Sequence, residues 1–154
     1  MSADPGPRNP FWAFSLATYG RPGVAEACLA LQDRLGLDVN LLLFCLWAGR
    51  CGHRLSATEL AALATAAGPW QQGVVVPLRG VRRRLKGAAD PAQEALRQRI
   101  KRDELEAERL EQELLHRALP LAPGVDDPAA ARANLLAFVG EEAPELEAML
   151  NALD

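Results

Sequence analysis

Arg79, Arg82, Arg83 and Lys86 stand at i, i+3, i+4 and i+7, the spacing that gathers four cations on one face of a helix. Guanidinium forks grip phosphate or carboxylate through paired hydrogen bonds, so this row suits an anionic partner. The competing use of the same charge is internal. Glu104–Glu113 and Glu141–Glu147 offer carboxylates within the chain, and much helix-surface charge is only solvated. Phe11 and Trp12 are the candidate apolar anchors of a partner surface, because Phe11, Trp12 and Phe14 leave one helix in different directions. Tyr19, Asn40 and Arg50 are the polar groups that a pocket between helices would gather for a small ligand.

Other chemistries find less support. Cys51-x-His53 is the closest Cys/His pair, with no second pair to complete a metal set, so no metal site is expected. The serines number three, and Ser56 is better used as a helix cap, which leaves no nucleophile constellation and no catalytic residue to name. Residues 49–54 are glycine-rich but lack the Gly-x-x-x-x-Gly-Lys-Ser/Thr order of a phosphate loop. No cofactor is implied. Glu59–Gly68 resembles the first helix and turn of a helix-turn-helix, yet Pro69 follows the turn and Pro77 falls where a reading helix would continue.

The elements that must hold these groups read as helices throughout, giving an all-α, single-domain bundle of about eight helices. Asn9-Pro10 starts the first, over Phe11–Tyr19. A second runs from Pro22 to Gly36. Asp38 caps a third, over residues 39–48, apolar nearly all round and therefore expected at the centre, with Asn40 serving the unpaired backbone donors of its first turn. Ser56-Ala57-Thr58-Glu59 is a capping box opening a helix that ends at Gly68. Residues 71–85 are expected to be helical with a kink at Pro77, although the valine triplet 74–76 also suits a strand. Asp90 launches one long charged helix over 91–119, striped by Leu96, Ile100, Ala107, Leu110 and Leu114. It is expected to pack on its own bundle, with a homodimer through it as the alternative. Two acidic helices close the chain over 128–154, and residues 1–9 are expected to be a flexible start.

With 154 residues, 49% apolar and 24% charged, the chain is long enough for one domain with a real core. The longest uncharged apolar run, Val39–Gly49, is far short of the about 20 residues of a membrane span. The short polar start and odd cysteine count point to a cytoplasmic protein with free thiols. Net charge is only -3, yet it is unevenly laid out. Residues 79–102 hold nine basic and two acidic groups, and residues 103–154 hold three basic and thirteen acidic ones. Such a dipole bears on partners rather than on fold.

The segments Phe11-Trp12-Ala13-Phe14-Ser15-Leu16, Asp38-Val39-Asn40-Leu41-Leu42-Leu43-Phe44-x-x-Trp47 and Pro77-Leu78-Arg79-x-x-Arg82-Arg83 resemble a small family of uncharacterised proteobacterial proteins of about 160 residues, a domain of unknown function. The likeness runs from residue 11 to about 116. It implies a helical protein and brings no activity with it.

Three functional classes follow. The leading expectation is a non-enzymatic protein-binding or adaptor protein that docks an acidic surface through Arg79, Arg82, Arg83 and Lys86. A nucleic-acid-binding regulator would use the same helix. An enzyme or small-ligand binder would use an interhelical pocket near Tyr19, Asn40 and Arg50.

Overall fold

The computed structural model describes residues 9–154, so the expected flexible start lies outside the described residues except for Asn9. Eight α-helices follow in order: α1 Pro10–Tyr19, α2 Val24–Leu35, α3 Val39–Arg50, α4 Ala57–Trp70, α5 Val76–Arg84, α6 Pro91–Ala118, α7 Pro128–Val139 and α8 Pro144–Asn151. Their starts are set by local chemistry. Side chains of Asn9, Asp38, Asp90 and Asp127 each accept a hydrogen bond from a first-turn N–H, satisfying donors that a helix cannot pair within itself. Ser56 and Glu59 cap each other's backbone reciprocally. Gly36 and Gly140 end α2 and α7 in the left-handed conformation that glycine adopts without steric cost.

Every residue of α3 from Asn40 to Gly49 is buried, which makes it the central helix as its composition demands. Phe11 of α1 meets Phe44 edge-on at 5.0 Å between ring centres, and Phe14 lies 5.4 Å from Trp47. On the opposite side α7 comes unusually close. A β-carbon built on Gly49 would lie 2.4 Å from the Ala131 Cβ, so glycine is what permits the approach. Asn134 of α7, fully buried, ties that side together by accepting from the Leu55 N–H at 2.8 Å and donating to the carbonyls of His53 and Cys45.

The segment between α4 and α5 departs from expectation. The chain does not turn at Gly68, and residues 74–76 form no strand. Instead α4 runs through Pro69 to Trp70, and Gln71–Val75 form a π-helical turn leading directly into α5. The Val76 N–H donates to the carbonyl of Gln71, five residues back. Pro77 brings no N–H to the ladder, and a widened turn accommodates its ring without breaking the rod. One inserted residue rotates α5 by about 100° relative to an uninterrupted α-helix. This continuous rod also disposes of the helix-turn-helix, since no turn separates its two halves.

α6 packs back on α4, α5, α1 and α3, as expected of a helix serving its own bundle. Of the expected stripe Ala107 is buried, but Ile100, Leu110 and Leu114 are only partly covered. Glu104, Ala107, Glu111, Gln112 and Leu115 point inward, whereas Leu96 is exposed. Trp70 anchors the rod to this helix by donating its indole N–H to the Ala107 carbonyl at 2.8 Å.

Candidate functional site

Tyr19, Asn40 and three cations of the charged row, Arg79, Arg82 and Arg83, meet in a cavity of about 720 Å³ between α1, α3, α5 and α6, with the outer face of α2 at its edge. The N-terminal half of α3 begins beside it, so Asp38 and Asn40 reach it from the helix start. The π turn sets the phase of α5, and Arg79 and Arg82 point in from there. α6 contributes one stripe along the whole length: Gln98, Lys101, Arg102, Leu105, Glu108 and Gln112. These fall at three-, four- and seven-residue offsets, the spacing of a single helix face.

The basic row therefore does not act as one exposed face. Arg82 grips both carboxylate oxygens of Glu104, one of them at 3.2 Å. Arg79 lies 3.4 Å from Glu104 and 3.5 Å from Glu108. The rotation of α5 against an acidic stretch of α6 decides this, because Glu104 is 6% exposed and a buried carboxylate requires a partner. That contact also holds the Arg82 proton more firmly than in a free guanidinium. Arg83, at the cavity's edge, and Lys86 are exposed, with Arg83 3.9 Å from Asp33.

Phe11 is corrected outright as a partner anchor. It is fully buried against Phe44 and Trp47 and offers no surface. Its neighbour Trp12 is half-buried and lines the cavity. Of the three pocket candidates, Tyr19 and Asn40 line the cavity, and burial raises the Tyr19 hydroxyl above its ordinary range. Arg50 does not. It sits at the far end of α3, 3.5 Å from Asp126.

The floor carries groups that apolar periodicity passed over. Gln112 is buried and donates its side-chain N–H to the Asn40 Oδ1 at 2.8 Å. Asn40 thus serves α6 through its side chain, while the cap of its own backbone N–H comes from Asp38 at 2.9 Å. The Gln112 Oε1 and the Ser15 Oγ are both buried without a hydrogen-bond partner, and both residues line the cavity. An unpaired buried polar atom costs about 1–3 kcal/mol. Both atoms lie beneath the cavity wall, shut off from solvent.

The carboxyls are displaced as well. Burial, reinforced by Glu104, pushes Glu108 up to about 7, with Arg79 opposing. Behind the wall, Glu111 is fully buried with neither oxygen paired, and burial with Asp38 nearby pushes it up to about 10. Burial there favours its protonated form. The sequence signal for these residues exists in retrospect: Glu104, Glu108, Glu111 and Gln112 recur at helical spacing, interrupting any apolar seam.

Nucleophilic chemistry gains nothing from the thiols. Burial raises Cys28 to about 12 and Cys51 to about 11, so neither is a thiolate near neutral pH. His53 turns its Nε2 to Glu59 at 2.9 Å. Among the described residues no group of three or more His, Cys, Asp or Glu side chains is placed to hold a metal ion, and no helix is long and apolar enough to cross a membrane.

Compared with known proteins, residues 10–115 match one family model, described as "Protein of unknown function (DUF2390)". The matched stretch contains every residue that lines the cavity. No curated protein and no solved structure matches the chain.

Proposed function

The chain belongs to the DUF2390 family, and since that membership brings no activity with it, we propose from the geometry that the protein is a binding protein for a small organic ligand held in the interhelical cavity. The observation that carries this reading is the 720 Å³ space itself, where Tyr19, Asn40, Arg79 and Glu108 converge beside an apolar lining. Cavities of about 300–1,000 Å³ with a few convergent polar groups on an apolar lining are the common form of small-molecule sites. Trp12, Leu16, Val39, Leu43 and Leu105 supply that lining.

The test is thermal: a library of small organic acids, amines and polar amphiphiles is scored for a rise in melting temperature. Leu105→Trp, at a position 52% exposed on the rim, narrows the mouth without touching the core. Compounds that raise the wild-type midpoint and leave the Leu105→Trp midpoint unmoved support the cavity. Hits that act equally on both proteins contradict it.

A second reading keeps the adaptor role on the outward part of the basic face. Arg83 and Lys86 are exposed, and Arg83 has only the 3.9 Å approach of exposed Asp33. Those cations remain available to an acidic protein surface. The double substitution Arg83→Glu/Lys86→Glu reverses them without disturbing the buried Arg82–Glu104 pair. Loss of partner capture by the folded variant supports docking, and unchanged capture removes it. Nuclease-sensitive capture transfers the face to nucleic acid instead.

A further inference from the structure

The inner stripe of α6 is ordered by charge. Lys101 and Arg102 lie at one end, Leu105 follows, and Glu108 and then Gln112 lie at the other. At 1.5 Å per residue, the cationic end and Glu108 are separated by about 9 Å along the helix axis. The two ends also differ in depth. Lys101 and Arg102 are exposed, and neither makes an ion pair among the described residues. Glu108 is partly buried, and Gln112 is 1% exposed.

Each end lacks something different. Glu108 has one cationic neighbour, Arg79 at 3.5 Å, which is shared with Glu104 at 3.4 Å. Gln112 Oε1 has no donor at all. An N–H-rich cation at this inner end would pair with the Glu108 carboxylate. The outer end asks for the opposite charge, a carboxylate between Lys101 and Arg102. Between them one side is apolar, with Leu105 52% and Leu16 55% exposed and Trp12 half-buried, while the paired Arg82 and Glu104 line the same stretch.

We infer, resting on the binding reading above, that the ligand is bipolar, with an ammonium group at the Glu108–Gln112 end and a carboxylate at the Lys101–Arg102 end, joined by an apolar spacer of about 9 Å. A free α-amino acid is excluded by length, because its ammonium and carboxylate share one carbon. An ω-amino alkanoate reaches both ends. So does a peptide of about three residues, at roughly 3.3–3.6 Å per residue. Both present the same chemistry to the pocket.

Calorimetric titration of the full chain with 8-aminooctanoate, octanoate and octylamine tests this directly, and the tripeptide Ala-Leu-Ala forms a fourth arm. The bipolar alkanoate is expected to bind at least about tenfold more tightly than either one-ended compound. Tighter binding of the tripeptide than of the alkanoate identifies the peptide as the source of the two charges. Glu108→Gln is expected to erase the advantage of 8-aminooctanoate over octanoate. The exposed pair Lys101→Ala/Arg102→Ala is expected to erase its advantage over octylamine. Octanoate or octylamine binding as tightly as 8-aminooctanoate overturns the assignment while leaving the cavity a binding site. Binding by none of the four also overturns it, and the thermal library then decides the binding reading separately.

Discussion

Gln112 gives its side-chain N–H to Asn40 across 2.8 Å of the core, and its own oxygen is left without a partner. The two residues are 72 positions apart and belong to the long charged helix and the central apolar one. A core built only for stability would place leucine at both positions. Here an amide pair fixes how α6 sits on α3, and it leaves one acceptor buried and unpaired. The adjoining acids follow the same pattern, since Glu104 is paired from α5 while Glu108 and Glu111 are incompletely compensated.

The two arginines one residue apart on α5 should behave as different residues. Arg82→Ala leaves buried Glu104 with only Arg79 and is expected to cost about 3 kcal/mol, the usual order for breaking a buried pair. Arg83→Ala is expected to stay within about 0.5 kcal/mol. Urea unfolding midpoints decide this, and equal losses from the two variants would contradict the inward and outward assignment.

Glu111 should be a stability liability. Burial, with Asp38 beside it, raises its carboxyl to about 10, against an ordinary 4.5. An acid whose folded value is raised binds its proton more tightly when folded, so its contribution to stability is lost as pH rises from about 4.5 to about 10. Glu111→Leu removes both the unpaired oxygens and this loss, and is expected to stabilise the protein at pH 8 by about 1–2 kcal/mol. A lowered melting temperature would show that the carboxyl is paired in solution.

Glu108 carries a pH signature of its own. With its folded value at about 7, stability is complete below about pH 4.5, declines between 4.5 and 7, and is level above. The neighbours that set this are Glu104 and Asp38, which raise the value, and Arg79, which lowers it. The stability difference between Glu108→Gln and wild type is expected to grow in favour of the variant across that window. A difference that stays constant from pH 4 to pH 8 would place the Glu108 titration elsewhere.

How much of this was legible from residue types alone depended on how local the cause was. Asn9, Asp38, Ser56, Asp90 and Asp127 announce their helices because a cap acts within one turn. The helical fold, without strands among the described residues, and central α3 followed from the same kind of reasoning. The π turn was not legible, since Pro69 and Pro77 locally say "stop" and only packing against α6 keeps the rod continuous. Nor was the inner face of α6. Leu96, Ile100, Leu110 and Leu114 outweigh Glu104, Glu111 and Gln112 in any hydrophobic count, and the guanidinium of Arg82, 22 residues away, is what draws Glu104 inward. Tyr19 and Asn40 were recognisable as polar groups near a buried helix start. Phe11 was misplaced because nothing in the sequence says which of three aromatics on α1 faces Phe44.

Two glycines in helices should respond oppositely to the same methyl group. Gly49→Ala sets a β-carbon 2.4 Å from that of Ala131 and is expected to destabilise by about 3 kcal/mol. Gly68→Ala meets nothing within 4 Å inside α4 and is expected to stabilise by about 0.5–1 kcal/mol. Thermal melts of both variants check the closeness of α3 to α7 and the continuity of α4.

The most direct measurement of the central claim is a set of amide spectra recorded while library compounds are titrated in. Asn40 and Gln112 line the cavity, and their side-chain amides report on it. That of Asn134 is equally buried, held between α3 and α7 by the Leu55, His53 and Cys45 backbone. Ligands bound in the cavity are expected to shift the Asn40 and Gln112 signals and leave Asn134 unmoved. Binders that shift Asn134 equally, or that leave Asn40 and Gln112 untouched, would contradict a ligand site at the interhelical cavity.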